Sequence, residues 1–122
     1  MTQEEKEVLL KDLSARLPYG VKVNEDIQGI FTLIGLAEER IFTTCEVEGW
    51  HNDFPIELIK PYLIPLSIMT EEELNEYKHL VAFSGSPNGA ANFIDWLNAH
   101  HFDYNGLIPM GLAIDATGLN IY

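Results

Sequence analysis

The sequence predicts an α+β fold: an amino-terminal helix packed on a three-stranded antiparallel meander, a proline-rich crossing segment, two further helices and a short carboxy-terminal strand. Three observations carry this. Apolar residues recur at helical spacing over residues 3–17, 71–82 and 87–100, and at strand spacing between residues 21 and 48. Pro55, Pro61 and Pro65 then break up the stretch between the two halves. A chain of 122 residues, 47% of them hydrophobic, can bury one core without disulfides or metals, so one domain over residues 1–122 is expected.

Thr2 with Glu5 is a capping box, and Leu9, Leu13 and Leu17 follow at i+4, which predicts a helix from about Gln3 to Leu17. The Glu7/Lys11 and Asp12/Arg16 pairs, also at i+4, are placed on its outer face. Pro18 ends the helix and Gly20 turns the chain. Val21 and Val23 alternate with Lys22 and Asn24 in a short strand, and Asn24, Glu25 and Asp26 form a polar break. Ile27 to Leu36 is rich in β-formers at both parities, the pattern of a strand covered on both faces. In the next run Ile41, Thr43, Cys45 and Val47 share one face, with Phe42, Thr44, Glu46 and Glu48 on the other. Short connections make these three strands antiparallel neighbours.

Between Gly49 and Met69 the prolines exclude long regular structure. Asp53 is expected to cap a short turn containing Pro55 and Glu57, with an extended stretch after it. Thr70 and Glu73 repeat the capping box, and Leu74, Tyr77 and Val81 predict a helix from about Glu71 to Ala82. Ser86-Pro87 opens a third helix running to about His100, with Phe93, Ile94 and Leu97 as its apolar stripe and Trp96 at the margin. Asn105-Gly106 is a turn signal, and Leu107 to Tyr122 reads as short strands or coil.

Nineteen acidic residues against seven basic ones give a net charge of −12, which disfavours direct binding to nucleic acid or to anionic membranes. Met1 to Leu10 lacks the pattern of a secretory signal, and the uncharged stretch Pro61 to Thr70 is too short to cross a bilayer. Cys45, the single cysteine, can form no internal disulfide and belongs to no zinc-ligand spacing. A cytoplasmic location is expected, with no cofactor.

His51 and Asp53 follow a predicted strand, where a His beside a carboxylate can act as a general base or metal ligand. A capping Asp53 and a surface His51 explain the pair equally simply. His100, His101 and Asp103 offer a partial metal site, although imidazolium at a helix carboxy terminus is favourable without any metal. Cys45 shares the parity of Ile41 and Val47, the setting of a buried, inert thiol. Ser84 to Gly89 precedes a helix as phosphate loops do, yet no lysine follows its glycines and Pro87 removes a donor.

Acidic residues Glu71, Glu72, Glu73 and Glu76 suit a helix amino terminus, a docking face or an imitation of nucleic-acid phosphates. After Lys60 the chain carries one lysine, Lys78, against Glu71, Glu72, Glu73, Glu76, Asp95, Asp103 and Asp115. The leading expectation is a non-catalytic protein-binding domain that meets another protein through Trp50, Phe54, Tyr62, Leu63 and this acidic half. On that expectation, replacing Tyr62 and Leu63 by Ser abolishes a complex and leaves stability unchanged. A small metal-assisted hydrolase using His51, Asp53, His100, His101 and Asp103, and an acidic nucleic-acid mimic, are the alternatives. Self-association stays open.

Two segments carry a resemblance: LPYGVKV at Leu17 to Val23, and IKPYLIPLSIMTEEE taken with FIDWLNAHHFDYNGLI. Over most of its length the chain resembles a family of small acidic proteins, with no assigned activity, from Bacteroides-type gut anaerobes and their phages and mobile elements. The resemblance implies an accessory protein, such as an inhibitor or adaptor acting on another protein, and no site residue.

Overall fold

The computed structural model describes residues 1–26, 29–45 and 50–122, without the side chains at positions 45, 50 and 51. The readings placed on Ile27, on Glu46 to Gly49 and on the side chains of Cys45, Trp50 and His51 therefore lie outside the described residues.

Helix α1 spans Gln3–Arg16 and opens with the expected reciprocal cap: Thr2 Oγ1 accepts from Glu5 N at 3.1 Å, and Thr2 N donates to Glu5 Oε1 at 2.9 Å. A 3-10 turn over Leu17–Tyr19 follows, and Gly20 leaves it at φ 66°, a conformation that costs glycine nothing. Strands β1 (Lys22–Glu25), β2 (Gly29–Ala37) and β3 (Arg40–Cys45) form the antiparallel meander.

The proline-rich segment carries the chain from one side of the sheet to the other, with the expected short turn at Ile56–Leu58 and the expected extended stretch after it, and it adds a strand at each end of the crossing. Strand β4 (Trp50–Pro55) pairs antiparallel with β3 at one edge, and β5 (Ile59–Leu63) pairs antiparallel with β1 on the other side. A two-residue β6 (Ile114–Asp115) lies parallel to β5, giving the order β4-β3-β2-β1-β5-β6. Prolines are accepted where no ladder donor is needed. Pro55 ends β4 ahead of a 3-10 turn over Ile56–Leu58, and Pro61 sits in β5 just outside the Tyr62 and Leu63 pairing with β6. Asp53 is consequently not a helix cap. It stands opposite Phe42 in β4, and its Oδ2 accepts from Arg40 Nε at 2.9 Å.

One face of the sheet makes the core. Leu9 and Leu13 of α1 pack with Val21, Val23, Phe31, Leu33, Ile41, Phe54, Ile56, Ile59 and Leu63, and Leu107, Leu112 and Ala113 from the carboxy-terminal segment join them. Phe54, Tyr62 and Leu63 are thus buried, at 7%, 7% and 0% exposure, and the docking surface expected of them is corrected: they hold the fold together. Tyr62 is fixed at both ends, its hydroxyl donating to Asn24 Oδ1 at 3.1 Å and its carbonyl accepting from the Tyr122 hydroxyl at 2.7 Å.

The other face is open. Ile30 and Ile34 of β2 are each 45% exposed, so β2 is covered on one face and not on both. Its apolar residues at both parities reflect β-propensity rather than two-sided burial.

Asp12 and Arg16 also depart from expectation. Both side chains are fully buried, joined by Arg16 Nε to Asp12 Oδ2 at 2.8 Å and Nη2 to Oδ1 at 3.1 Å. The same Nη2 donates to the Phe102 carbonyl at 2.7 Å, and Asn105 Nδ2 donates to Asp12 Oδ1 at 2.8 Å. An i,i+4 ion pair looks alike on a wet face and under a loop; the loop that covers this one is supplied from some ninety residues away.

Helices α2 (Glu71–Ala82) and α3 (Pro87–Ala99) form a hairpin. Ser86 caps α3 by accepting from Gly89 N at 3.0 Å, and a Cβ on Gly89 would lie 1.8 Å from the Phe83 carbonyl oxygen. Glycine is required there by the close approach of the two helices' connecting backbone. Among the described residues no helix is long and apolar enough to cross a membrane.

Candidate functional site

Of the residues singled out for metal chemistry, Asp53, His100, His101 and Asp103 are engaged elsewhere. Asp103 accepts Leu107 N on Oδ1 at 2.8 Å and Ile108 N on Oδ2 at 2.9 Å, closing the turn after α3. His100 Nδ1 lies 2.9 Å from the Trp96 carbonyl, with its ring 4.5 Å from the Trp96 ring and 6.0 Å from that of Phe102. His101 stacks on Tyr122 at 3.6 Å between ring centroids. Among the described residues no three His, Cys, Asp or Glu side chains gather where a metal could be held. His51 lies on β4 opposite Thr44 in register, and Asp53 is engaged with Arg40.

His101 has a structural role. It occupies the left-handed region at φ 62°, where its N donates to the Asn98 carbonyl and Phe102 N donates to the Leu97 carbonyl, the double bond of a Schellman stop. Burial under Tyr122, with lesser repulsion from Arg16, His100 and Lys22, lowers its pKa to about 4. The ring is therefore neutral at pH 7, and the expected imidazolium at the helix end does not apply to it. Its folded pKa lies below the unfolded value of about 6.5, so the unfolded chain binds more protons across that window and stability falls as pH drops from 6.5 toward 4. After discounting for the ring's part exposure the loss is about 1–2 kcal/mol. Asn tolerates the same backbone conformation. Urea unfolding of His101→Asn at pH 7, 5.5 and 4.5 should give a flatter profile than wild type, and parallel profiles would refute this assignment.

What the fold leaves unsatisfied is the outer surface of the hairpin. No residue of α2 is buried. It is held to α3 through Tyr77, whose ring lies 5.5 Å from Phe93 and 6.4 Å from Trp96, and through the Trp96 indole N–H donating to Glu76 Oε2 at 2.8 Å. Leu74 and Val81 of α2 remain 40% and 43% exposed, Phe83 62% and Ile94 of α3 40%. Leu74 and Val81, seven residues apart, lie on one side of the helix. The exposed residues of α2 also include Glu71, Glu72, Glu76 and Lys78, and Glu73 forms the cap with Thr70.

Of the partner surface expected from the sequence, the acidic half of the hairpin is on the outside, and Phe54, Tyr62 and Leu63 are not. The signal for the missing apolar part was the spread of Leu74, Leu80, Val81 and Phe83 around α2, wider than one neighbouring helix can cover. Comparison of the chain with family models, with curated proteins and with solved structures found no match.

Proposed function

We propose that this protein is a non-catalytic, cytoplasmic protein-binding domain that docks a partner on the α2–α3 hairpin. The observation that carries the reading is a helix with no buried residue that nevertheless exposes Leu74 and Val81, with Phe83 exposed just after it. A twelve-residue helix is marginal in water unless its apolar side is packed, and such a side with charged residues around it, Glu71 and Lys78 among them, has the anatomy of an interface, apolar at its centre and polar at its rim. The excess of acidic residues on α2, Glu71, Glu72, Glu73 and Glu76 against Lys78, favours a partner segment both apolar and basic. The resemblance to small proteins of Bacteroides-type anaerobes and their mobile elements favours an accessory role, as inhibitor or adaptor, over an activity of its own.

The test replaces Leu74 and Val81 by Ser. Both are exposed, so Leu74→Ser/Val81→Ser should leave unfolding within about 1 kcal/mol of wild type, counting roughly 0.5 kcal/mol for each surface change. A protein captured specifically by the wild-type domain in high salt should no longer be captured by the variant. Undiminished capture, or a large loss of stability, would overturn the reading. Capture by wild type that disappears in high salt would favour charge mimicry instead, and a doubled mass in sedimentation without any partner would make a second copy the occupant.

A further inference from the structure

The chain holds two Asn-Gly pairs, Asn88-Gly89 and Asn105-Gly106. Asn followed by Gly is the sequence most open to intramolecular deamidation, because a residue without a side chain leaves its backbone N unhindered in approaching the Asn Cγ. The fold treats the two pairs differently. Asn88 and Gly89 lie in the first turn of α3, where Gly89 N donates to Ser86 Oγ at 3.0 Å and the Phe83 carbonyl crowds Gly89; the helix must open locally before that N can turn toward Cγ. Asn105 and Gly106 belong to no helix or strand. Asn105 is exposed to water, and Gly106 has φ 72° with open space where a Cβ would stand.

Asn105 also stands where its amide matters. Its Nδ2 donates to Asp12 Oδ1 at 2.8 Å, the same oxygen that accepts from Arg16 Nη2 at 3.1 Å in the buried ion pair. We propose that Asn105 is a site of spontaneous deamidation and that the products unlock the segment sealing the Asp12/Arg16 pair. Gly106 N attacks the Asn105 Cγ; an N–Cγ bond forms, the Cγ–Nδ2 bond breaks, and ammonia leaves with the proton of Gly106 N. Water then opens the succinimide, giving aspartate by addition at Cγ and isoaspartate by addition at the main-chain carbonyl, with no change of oxidation state. In the aspartate an oxygen stands where the donor stood and meets Asp12 Oδ1 with no hydrogen between them, and like charges in a buried setting repel strongly. The isoaspartate adds a methylene to the main chain inside the turn that Asp103 closes through Leu107 N and Ile108 N at 2.8 and 2.9 Å. Either product loosens the 102–105 segment.

The test incubates the folded protein for several days at pH 7 and locates each gain of one mass unit by fragment masses after digestion. Conversion at position 105 should run at least tenfold faster than at position 88 and should yield both aspartate and isoaspartate. Urea denaturation then compares Asn105→Asp, the direct product, with Asn105→Ser, which removes the bond to Asp12 without adding a charge. The midpoint of Asn105→Asp should fall below those of wild type and of Asn105→Ser, and an Asn105→Asp protein that fails to fold while Asn105→Ser folds would be the same result in a stronger form. Equal conversion at the two positions, or none at 105, would overturn the site. Asn105→Asp unfolding together with Asn105→Ser would overturn the unlocking, as would a stabilised Asn105→Asp, which would mean that Arg16 Nη1, a buried donor without a partner, takes up the new carboxylate.

Discussion

The double substitution Tyr62→Ser/Leu63→Ser is expected to unfold the protein, or to lower its unfolding free energy by more than about 5 kcal/mol. Leu63 is fully buried among Leu9, Leu13, Ile59 and Leu107, and truncating such a side chain costs about 2–5 kcal/mol through lost burial and the cavity left behind. Serine adds a hydroxyl that must be buried without an arranged partner. Tyr62 contributes its ring and the bond to Asn24 Oδ1 at 3.1 Å, and removing a buried aromatic costs about 3–5 kcal/mol. The two are chain neighbours, so the losses will not add in full. Chemical denaturation with each single variant as a control measures the effect. A double variant within 1 kcal/mol of wild type would show that β5 is not part of the core and would return these residues to the surface that the sequence alone suggested.

Asp12→Ala is expected to cost about 3–5 kcal/mol, because it leaves the Arg16 guanidinium buried without its counter-charge. The other partners cannot compensate: Phe102 O accepts one bond from Nη2, Nη1 already has no partner, and the Tyr104 ring, 5.1 Å from the guanidinium carbon, provides a weaker cation–π contact. Removing both charges, as in Asp12→Leu/Arg16→Met, should be less damaging than either single change, since the desolvation of two ions disappears together with their attraction. Urea denaturation of the two singles and the double forms the cycle. A small loss for Asp12→Ala, with the double no better, would mean that water reaches this pair and that the 102–105 segment does not seal it.

Much of the fold was legible in the residues. Both capping boxes occur with both reciprocal bonds, because an N-cap needs residues at fixed spacing and nothing from elsewhere in the chain. The meander followed from alternation and short turns, which are equally local. In the segment with Pro55 and Pro61 the short turn and the extended stretch were legible, while the pairing of Asp53 and Ile59–Leu63 in the sheet was not, because a proline within apolar sequence excludes a helix interior but not a sheet edge or a strand end, and which of these applies depends on the neighbouring strand. The candidate site was legible in its charge and not in its apolar part. Glu71, Glu72 and Glu76 are exposed as charge requires, whereas Leu74 and Val81 have the helical spacing that a buried stripe also has, and only the packing of the folded chain shows that they are left 40% and 43% exposed.

By itself, then, the sequence determined what is encoded within a few residues: helix starts and stops, strand alternation, the turn at Asn105-Gly106, where Gly106 has φ 72°, and an acidic surface. The tertiary structure alone decided which of several identical local patterns is buried. It placed the Asp12/Arg16 pair in the interior and left Glu7 and Lys11, a pair of the same spacing, exposed; it put Tyr62 and Leu63 in the core and left Leu74 and Val81 exposed. The physical reason is that burial is a property of what covers a residue, and the segments that cover α1 and β5, residues 102–107 and 112–116, are far from them along the chain.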